Sequence, residues 1–177
     1  MDVKAVKTAF AGMLGNMLQL DPVTGLPYVA PSPNVGQKVR ADADAPMSLA
    51  DTDLPTWIIR VAGARYPNPP DQAENRLSHE DRDFELILFV CMAEFGIDGE
   101  AERKTEPYID YSRNLIQSHP LIYDGKLADI VPWISRAFLL SDNGHAERRY
   151  TANGPFYETI SFTVRVEGRN RLTYGNE

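Results

Sequence analysis

The sequence predicts a single α+β domain in which two helices pack on a mostly antiparallel sheet of about four or more strands. Three observations lead to this fold class. The first 20 residues have helical periodicity, two apolar runs rich in β-branched residues precede a second helical segment, and a run near the C-terminus alternates apolar and polar residues. With 177 residues and 43% hydrophobic content, the chain can bury one substantial core. We therefore treat 1–177 as one domain.

The helices are predicted from apolar side chains that recur at steps of three and four residues. The first occupies residues 3–20, where Lys4 and Lys7 lie away from the apolar stripe. The second begins near Thr105, which can cap free backbone amides, with Pro107 in the first turn, and it ends at 119–120. Its predicted buried stripe comprises Tyr108, Ile109, Tyr111, Leu115 and Ile116.

The strands are predicted from β-branched and alternating runs. Residues 57–62 form one strand between prolines, and residues 84–93 form a central strand because both faces are apolar apart from Glu85. Residues 127–140 are ambiguous between helix and strand, and we favour a strand over 133–140. The closing strand, 157–166, has one wet face, after which the chain is expected to leave the sheet.

The predicted core joins the first helix to the central and closing strands. Its members share one-sided burial on these elements: Phe10, Met13, Leu14, Met17, Leu86, Leu88, Val90, Ile160, Phe162 and Val164.

Three segments are predicted to lie outside regular structure. Residues 21–55 carry six prolines and little periodicity, which indicates an extended arm or short hairpin within the domain. Residues 71–83 are polar and charged, which indicates a solvated loop, and residues 141–144 indicate a turn. We expect replacement of 78–80 by alanine to leave the fold intact, because a solvated loop has no positional chemistry to lose.

Composition argues against several function classes. The net charge of −7 and pI near 5.0 argue against a protein that coats nucleic acid, since phosphate neutralisation needs clustered Lys and Arg. The single cysteine, Cys91, excludes an intramolecular disulfide and indicates a reducing cytoplasm. No signal peptide or membrane segment is apparent in the sequence, and we expect no membrane partner.

A search for catalytic and ligand-binding motifs yields no convincing site, so we predict no catalytic residue, no cofactor and no metal. The segment from Ser78 to Asp83 holds one imidazole and three carboxylates, but adjacent residues of an extended chain point apart. His119 and His145 are interpreted as capping or surface residues, and Cys91 as a small hydrophobe. A Ser-His-Asp triad assembled only by folding stays open, because such triads are recognised by geometry.

Charge is distributed unevenly along the chain. Residues 41–106 hold fifteen acids and six bases, whereas residues 136–177 hold six bases and five acids. Either these are ordinary solvated faces, or bases of one copy meet acids of the next in a head-to-tail contact that closes into a ring. The predicted interface residues are Arg148, Arg149, Arg165, Arg169, Arg171, Glu74, Glu80, Asp81 and Asp83.

The order of elements resembles the tail terminator proteins of long-tailed bacteriophages. The resemblance is carried by the first helix, LPTWIIRV (54–61), a charged loop, FELILFV (84–90), YIDYSRNLIQ (108–117) and YETISFTVRV (157–166). It implies a virion structural protein, assembled in the host cytoplasm, that forms a hexameric ring, caps the tail tube and ends its polymerisation. The implied partners are copies of itself, the tail tube protein and a head-completion or connector protein.

Two alternatives remain beside this interpretation. The chain could be another neck or head-tail joining protein, since these subunits share small sandwiches. It could instead be a small-molecule enzyme or binding module with a pocket between helix and sheet, for which His79, Glu80 and Tyr111 are the candidate residues.

Overall fold

The computed structural model of the chain describes residues 1–15, 17, 19–20, 24, 26–28, 38–40, 54–66, 77–92, 100–143, 147–150 and 156–171. Within these residues there are four helices: α1 (Val3–Gly15), α2 (Glu100–Ser118), α3 (Pro120–Tyr123) and α4 (Leu127–Ile130). The same residues form eight strands: β1 (Gln19–Leu20), β2 (Pro27–Tyr28), β3 (Lys38–Arg40), β4 (Thr56–Arg65), β5 (Leu77–Met92), β6 (Ile134–Asp142), β7 (Glu147–Tyr150) and β8 (Phe156–Arg171). The predicted α+β class is confirmed, with two one-turn helices besides the two long ones.

The main sheet contains six strands. Five follow the order β3-β4-β5-β8-β6, and β7 also pairs with β8. β3 runs parallel to β4, and the other described pairings are antiparallel. β5 and β8 pair from Leu77 opposite Arg171 to Met92 opposite Tyr157, so β5 is central, as predicted. β1 and β2 form a separate two-stranded sheet.

The helices cover one side of the main sheet, which we call the helical face. Phe10 of α1 meets Phe84 of β5 edge to face, with ring centroids 5.6 Å apart. The hydroxyl of Ser112 on α2 lies 3.9 Å from the sulfur of Met17, just after α1, and buried residues of both long helices belong to the same core. All ten residues of the predicted core are buried in this cluster, so the core prediction is confirmed.

The opposite side of the sheet, which we call the outer face, has two different halves. One half carries a second buried cluster of Ile58, Ile87, Phe89 and Tyr157, in which the rings of Phe89 and Tyr157 pack 5.6 Å apart. Because side chains alternate along a strand, β4 and β5 are apolar on both faces here. The other half is charged and contains several of the predicted interface residues.

The long strands extend beyond their apolar runs. β5 begins at Leu77, so the prediction of a solvated loop is wrong for residues 77–83. β8 continues to Arg171, so the prediction that the chain leaves the sheet after Val166 is also wrong. Apolar alternation stops there, but opposite charges face each other across the strands, and such pairs also stabilise a sheet.

Several other boundaries differ from the prediction. α2 begins at Glu100, and Pro107 lies inside the helix, because burial of Thr105 and Tyr108 against the core outweighs the local start signal. α1 ends at Gly15 rather than near residue 20. β6 confirms a strand near 133–140, while 127–130 is helical and 141–142 belongs to β6. Most of the arm 21–55 lies outside the described residues.

Candidate assembly surfaces

The charged half of the outer face is built from directly opposed side chains on four neighbouring strands. Arg60 of β4 lies opposite Glu85 of β5, and Asp83 of β5 lies opposite Arg165 of β8. On the other side of β8, Glu167 lies opposite Arg136 of β6. We call this group of three acids and three bases the charged face: Arg60, Asp83, Glu85, Arg136, Arg165 and Glu167.

Asp83 and Arg165 form a two-pronged ion pair. The guanidinium nitrogens Nε and Nη2 of Arg165 donate to the two carboxylate oxygens of Asp83 at 2.8 and 3.0 Å. Both side chains are about 15% exposed, so water screens the pair only in part. The hydrogen bonds from Arg165 hold the pKa of Asp83 below its usual value, with a smaller opposing effect of burial.

Two further ion pairs flank this one on the outer face. Arg136 donates to Glu167 at 2.5 and 3.0 Å, and these hydrogen bonds lower the pKa of Glu167. The guanidinium carbon of Arg136 also lies 5.1 Å from the ring centroid of Phe138. Arg60 donates to Glu85 at 2.5 Å. The charged face therefore neutralises itself within one chain.

The predicted interface residues lie in different environments in the structure. Asp83 and Arg165, which we expected to meet between copies, meet within one copy. Asp81 is half-buried and lies opposite Glu167, whereas Arg169 on β8 is exposed and can contact another copy. Glu74 and the side chains of Arg148, Arg149 and Arg171 lie outside the described part of the chain.

Replacing Arg165 by glutamate is expected to lower the free energy of unfolding by about 1–2 kcal/mol, because an attractive cross-strand pair becomes a repulsive one. Urea unfolding of the monomer measures the effect. The exchanged double variant Asp83→Arg/Arg165→Glu is the control and should recover most of the loss. Equal stability of the single variant and the parent would show that the pair contributes nothing.

Glu80 is buried at the helical face, in the middle of a charge cluster. The amino-terminal ammonium of Met1 donates to Oε2 at 2.9 Å, Arg82 donates to Oε1, and Glu80 is fully buried. Burial by itself would raise the pKa of Glu80, but the hydrogen bonds from the ammonium and Arg82 outweigh it and the pKa lies below its usual value. Glu80 cannot present its carboxylate to another copy, so its prediction as an interface residue is wrong. For the same reason we now expect replacement of Glu80 by alanine to destabilise the fold.

The predicted small-molecule pocket does not form from its three candidate residues. His79 is exposed and Glu80 buried, because successive residues of β5 point to opposite faces. Tyr111 is half-buried against the main core. Among the described residues, no group of three His, Cys, Asp or Glu side chains could hold a metal ion. Cys91 is half-buried and packs against the main core.

His119 is a capping residue, one of the two roles predicted for it. Its Nδ1 accepts a hydrogen bond of 3.2 Å from the backbone of Leu121, which starts α3 at Pro120. Burial lowers the pKa of His119, which favours the neutral ring. With Nδ1 accepting, the neutral ring carries its proton on Nε2.

Three large apolar side chains are exposed near the small helices. Tyr123 ends α3, Ile130 ends α4, and Trp133 precedes β6; they are 79%, 61% and 55% exposed. We call these three residues the apolar patch. Sequence reasoning missed it because residues 127–140 were ambiguous between helix and strand, so the pattern did not indicate which of their apolar side chains are exposed. Exposed aromatic and branched side chains close together in the chain are typical of protein interfaces.

Trp133 is held in an unusual backbone conformation. Its φ angle is +69°, a left-handed value that costs a non-glycine residue about 1–2 kcal/mol. Its carbonyl accepts a hydrogen bond of 2.7 Å from the backbone of Arg169. Gly168 permits this approach, because a β-carbon there would lie 2.7 Å from the Trp133 carbonyl oxygen. β8 therefore fixes the turn that exposes Trp133.

An open groove adjoins the apolar patch. It encloses about 690 Å³ between α1 and the α3–α4 segment. Ala5, Ala9 and Gly12 of α1 line it with small side chains, and Ile130 belongs to both the groove and the patch. The polar side chains that line it are Asp2, Lys4, Thr8 and His119. The rest of the lining is apolar.

Comparison with known proteins does not assign the chain to a family. No protein-family model matches the chain, and no curated protein matches it. Within the described residues, no helix is long and apolar enough to cross a membrane.

Proposed function

We propose that this chain is a structural subunit that assembles with copies of itself into a ring on a phage tail tube, ending tube polymerisation and providing the surface that joins the head. The observation that carries self-assembly is the apolar patch, in which two aromatic side chains and Ile130 are more than half exposed. The assignment to a tail rests on the resemblance of the element order to tail terminators, which the α+β sandwich supports.

The size of the apolar patch fits a protein partner. Large aromatic side chains bury about 150–250 Å² each, so the patch can supply the centre of one interface of about 800 Å² per partner. Trp and Tyr are also the side chains most enriched among residues that dominate binding energy. Assembly through this patch is driven by burial of apolar surface, whereas the charged face is already satisfied within one subunit.

The apolar patch also fits the neck alternative. Another head-tail joining protein would use an apolar patch in the same way, so the position in the neck is decided by what the ring binds. Tail tubes and heads therefore have to be offered to the purified chain separately.

The test is electron microscopy of the purified chain alone, with tail tubes and with heads, together with its mass in solution by light scattering. We expect rings that cap tube ends. Replacing Trp133 by serine should abolish capping, since loss of one central aromatic residue costs about 2 kcal/mol or more per contact. The matched control is Tyr66→Ser, which removes an exposed aromatic residue at the end of β4. A parent that never self-associates, even on tubes, would overturn the proposal.

A further inference from the structure

The turn that carries Trp133 lies between two buried residues. Val131, which follows α4, is fully buried, and Ile134, which begins β6, is 8% exposed. Pro132 and Trp133 between them are exposed. The chain therefore reverses within two residues, and the left-handed backbone at Trp133 lets both neighbours reach the core while the indole stays in solvent.

Tryptophan is an unfavourable residue for this position. Glycine adopts a left-handed conformation without a steric penalty, and asparagine adopts it more readily than most residues with a side chain. A bulky residue persists there only where the surrounding structure enforces the conformation, and such strained residues cluster at functional sites. Trp133 also belongs to the apolar patch, so the backbone strain and the proposed contact fall on the same residue.

β8 enforces the conformation through two neighbouring residues. The backbone of Arg169 donates to the Trp133 carbonyl at 2.7 Å, and a β-carbon at Gly168 would lie 2.7 Å from the same carbonyl oxygen. It would also lie 3.6 Å from the α-carbon of Ile134, so any larger residue displaces the turn. Gly168 is itself buried and cannot touch another copy. An effect of Gly168 on assembly must therefore act through the turn.

We propose that Gly168 is a positioning residue for self-assembly: it leaves room for the Trp133 carbonyl and so holds the strained turn that presents the indole to the next copy. This inference rests on the self-assembly proposed above and identifies what prepares its contact. Because the turn is fixed before a second copy arrives, association does not have to order it. Relief of the strain should therefore stabilise the subunit and weaken its assembly.

The variant Gly168→Ala tests the positioning role, because it displaces the turn and keeps the indole. We expect self-association, measured by light scattering over a range of concentrations, to weaken at least about tenfold. Gly63→Ala on β4 is the matched control, since its β-carbon meets no atom within 4 Å, and it should associate like the parent. Ile160→Val, a mild truncation of a buried residue opposite Leu88, controls for lost stability: it should lower the urea midpoint and keep association.

Hydrogen exchange measured by NMR reports on the turn itself. The Arg169 amide donates to the Trp133 carbonyl, so displacement of the turn removes its acceptor. In Gly168→Ala we expect this amide to lose at least about tenfold of its protection relative to the other amides of β8. Unchanged protection would show that Gly168 does not hold the turn, and the proposal would be wrong.

A comparison of Trp133→Gly with Trp133→Ala tests the strain. Both variants lose the indole, so both should lose self-association, but only glycine relieves the left-handed backbone. We expect Trp133→Gly to unfold at the higher urea concentration. At an ordinary position the order is reversed, because glycine gives the unfolded chain more freedom. An alanine variant at least as stable as the glycine variant would overturn the strain argument.

The outcomes separate the positioning role from self-assembly in general. If Gly168→Ala associates as tightly as the parent, the positioning role is wrong and the proposed function stands. If Ile160→Val loses association to the same extent, the effect belongs to stability, which also overturns the positioning role. If the parent never self-associates, both proposals are wrong.

Discussion

Truncation of Phe162 to alanine is expected to lower the free energy of unfolding by about 3–5 kcal/mol. Phe162 is fully buried on β8, opposite Leu86 in the central strand, and its ring lies 6.1 Å from that of Trp57. The substitution opens a cavity where the helices meet the middle of the sheet. Such a loss is a large share of the about 5–15 kcal/mol that stabilises a typical domain.

Urea unfolding followed by tryptophan fluorescence measures this loss, because Trp57 reports on the same region of the core. Leu140→Ala is the control: Leu140 lies on β6 and is 42% exposed, so its truncation should cost less than about 1 kcal/mol. An unchanged midpoint for Phe162→Ala would mean that the register of β8 on β5 is wrong.

Replacing Glu80 by glutamine is expected to destabilise the protein by about 3 kcal/mol at neutral pH. The change removes the carboxylate that both the Met1 ammonium and Arg82 contact, and an uncompensated buried charge is costly. This expected loss of stability is at the low end of the range for breaking a buried ion pair, because Arg82 is 24% exposed and can be hydrated. Glu85→Gln on the outer face is the control and should cost about 1 kcal/mol or less, since Arg60 is 39% exposed.

The contribution of Glu80 should also depend on pH in a definite direction. Its pKa is lower in the folded state, so its stabilisation is fully present above the unfolded glutamate pKa of about 4.3. This stabilisation is lost as the pH falls through the pKa that Glu80 has in the folded state. Unfolding curves at neutral and acid pH should therefore show the parent converging on Glu80→Gln as the pH falls. If the difference in free energy of unfolding between the parent and Glu80→Gln stays constant with pH, the carboxylate charge is not the source of the stabilisation.

The amino-acid sequence by itself determined the elements whose signal is local and apolar. The stripe of α1, the doubly apolar run of β5 and the alternation of β8 each fix which side of an element is buried, and the ten predicted core residues follow from that. His119 as a cap before Pro120 is equally local, because the cap is formed two residues along the chain. Helical and strand periods are sufficient for such assignments.

Only the tertiary structure decided how the polar residues are used. Asp83 and Arg165 are 82 residues apart in the sequence, and strand register alone makes them partners rather than opposite surfaces of two copies. The side chain of Glu80 lies on the helical face, where the Met1 ammonium and Arg82 satisfy it, which no local pattern indicates. The exposed Trp133 likewise depends on β8, because the backbone of Arg169 donates to its carbonyl and Gly168 leaves room for that carbonyl. Polar pairing and surface exposure depend on contacts distant in sequence, so they emerge only when the strands are in register.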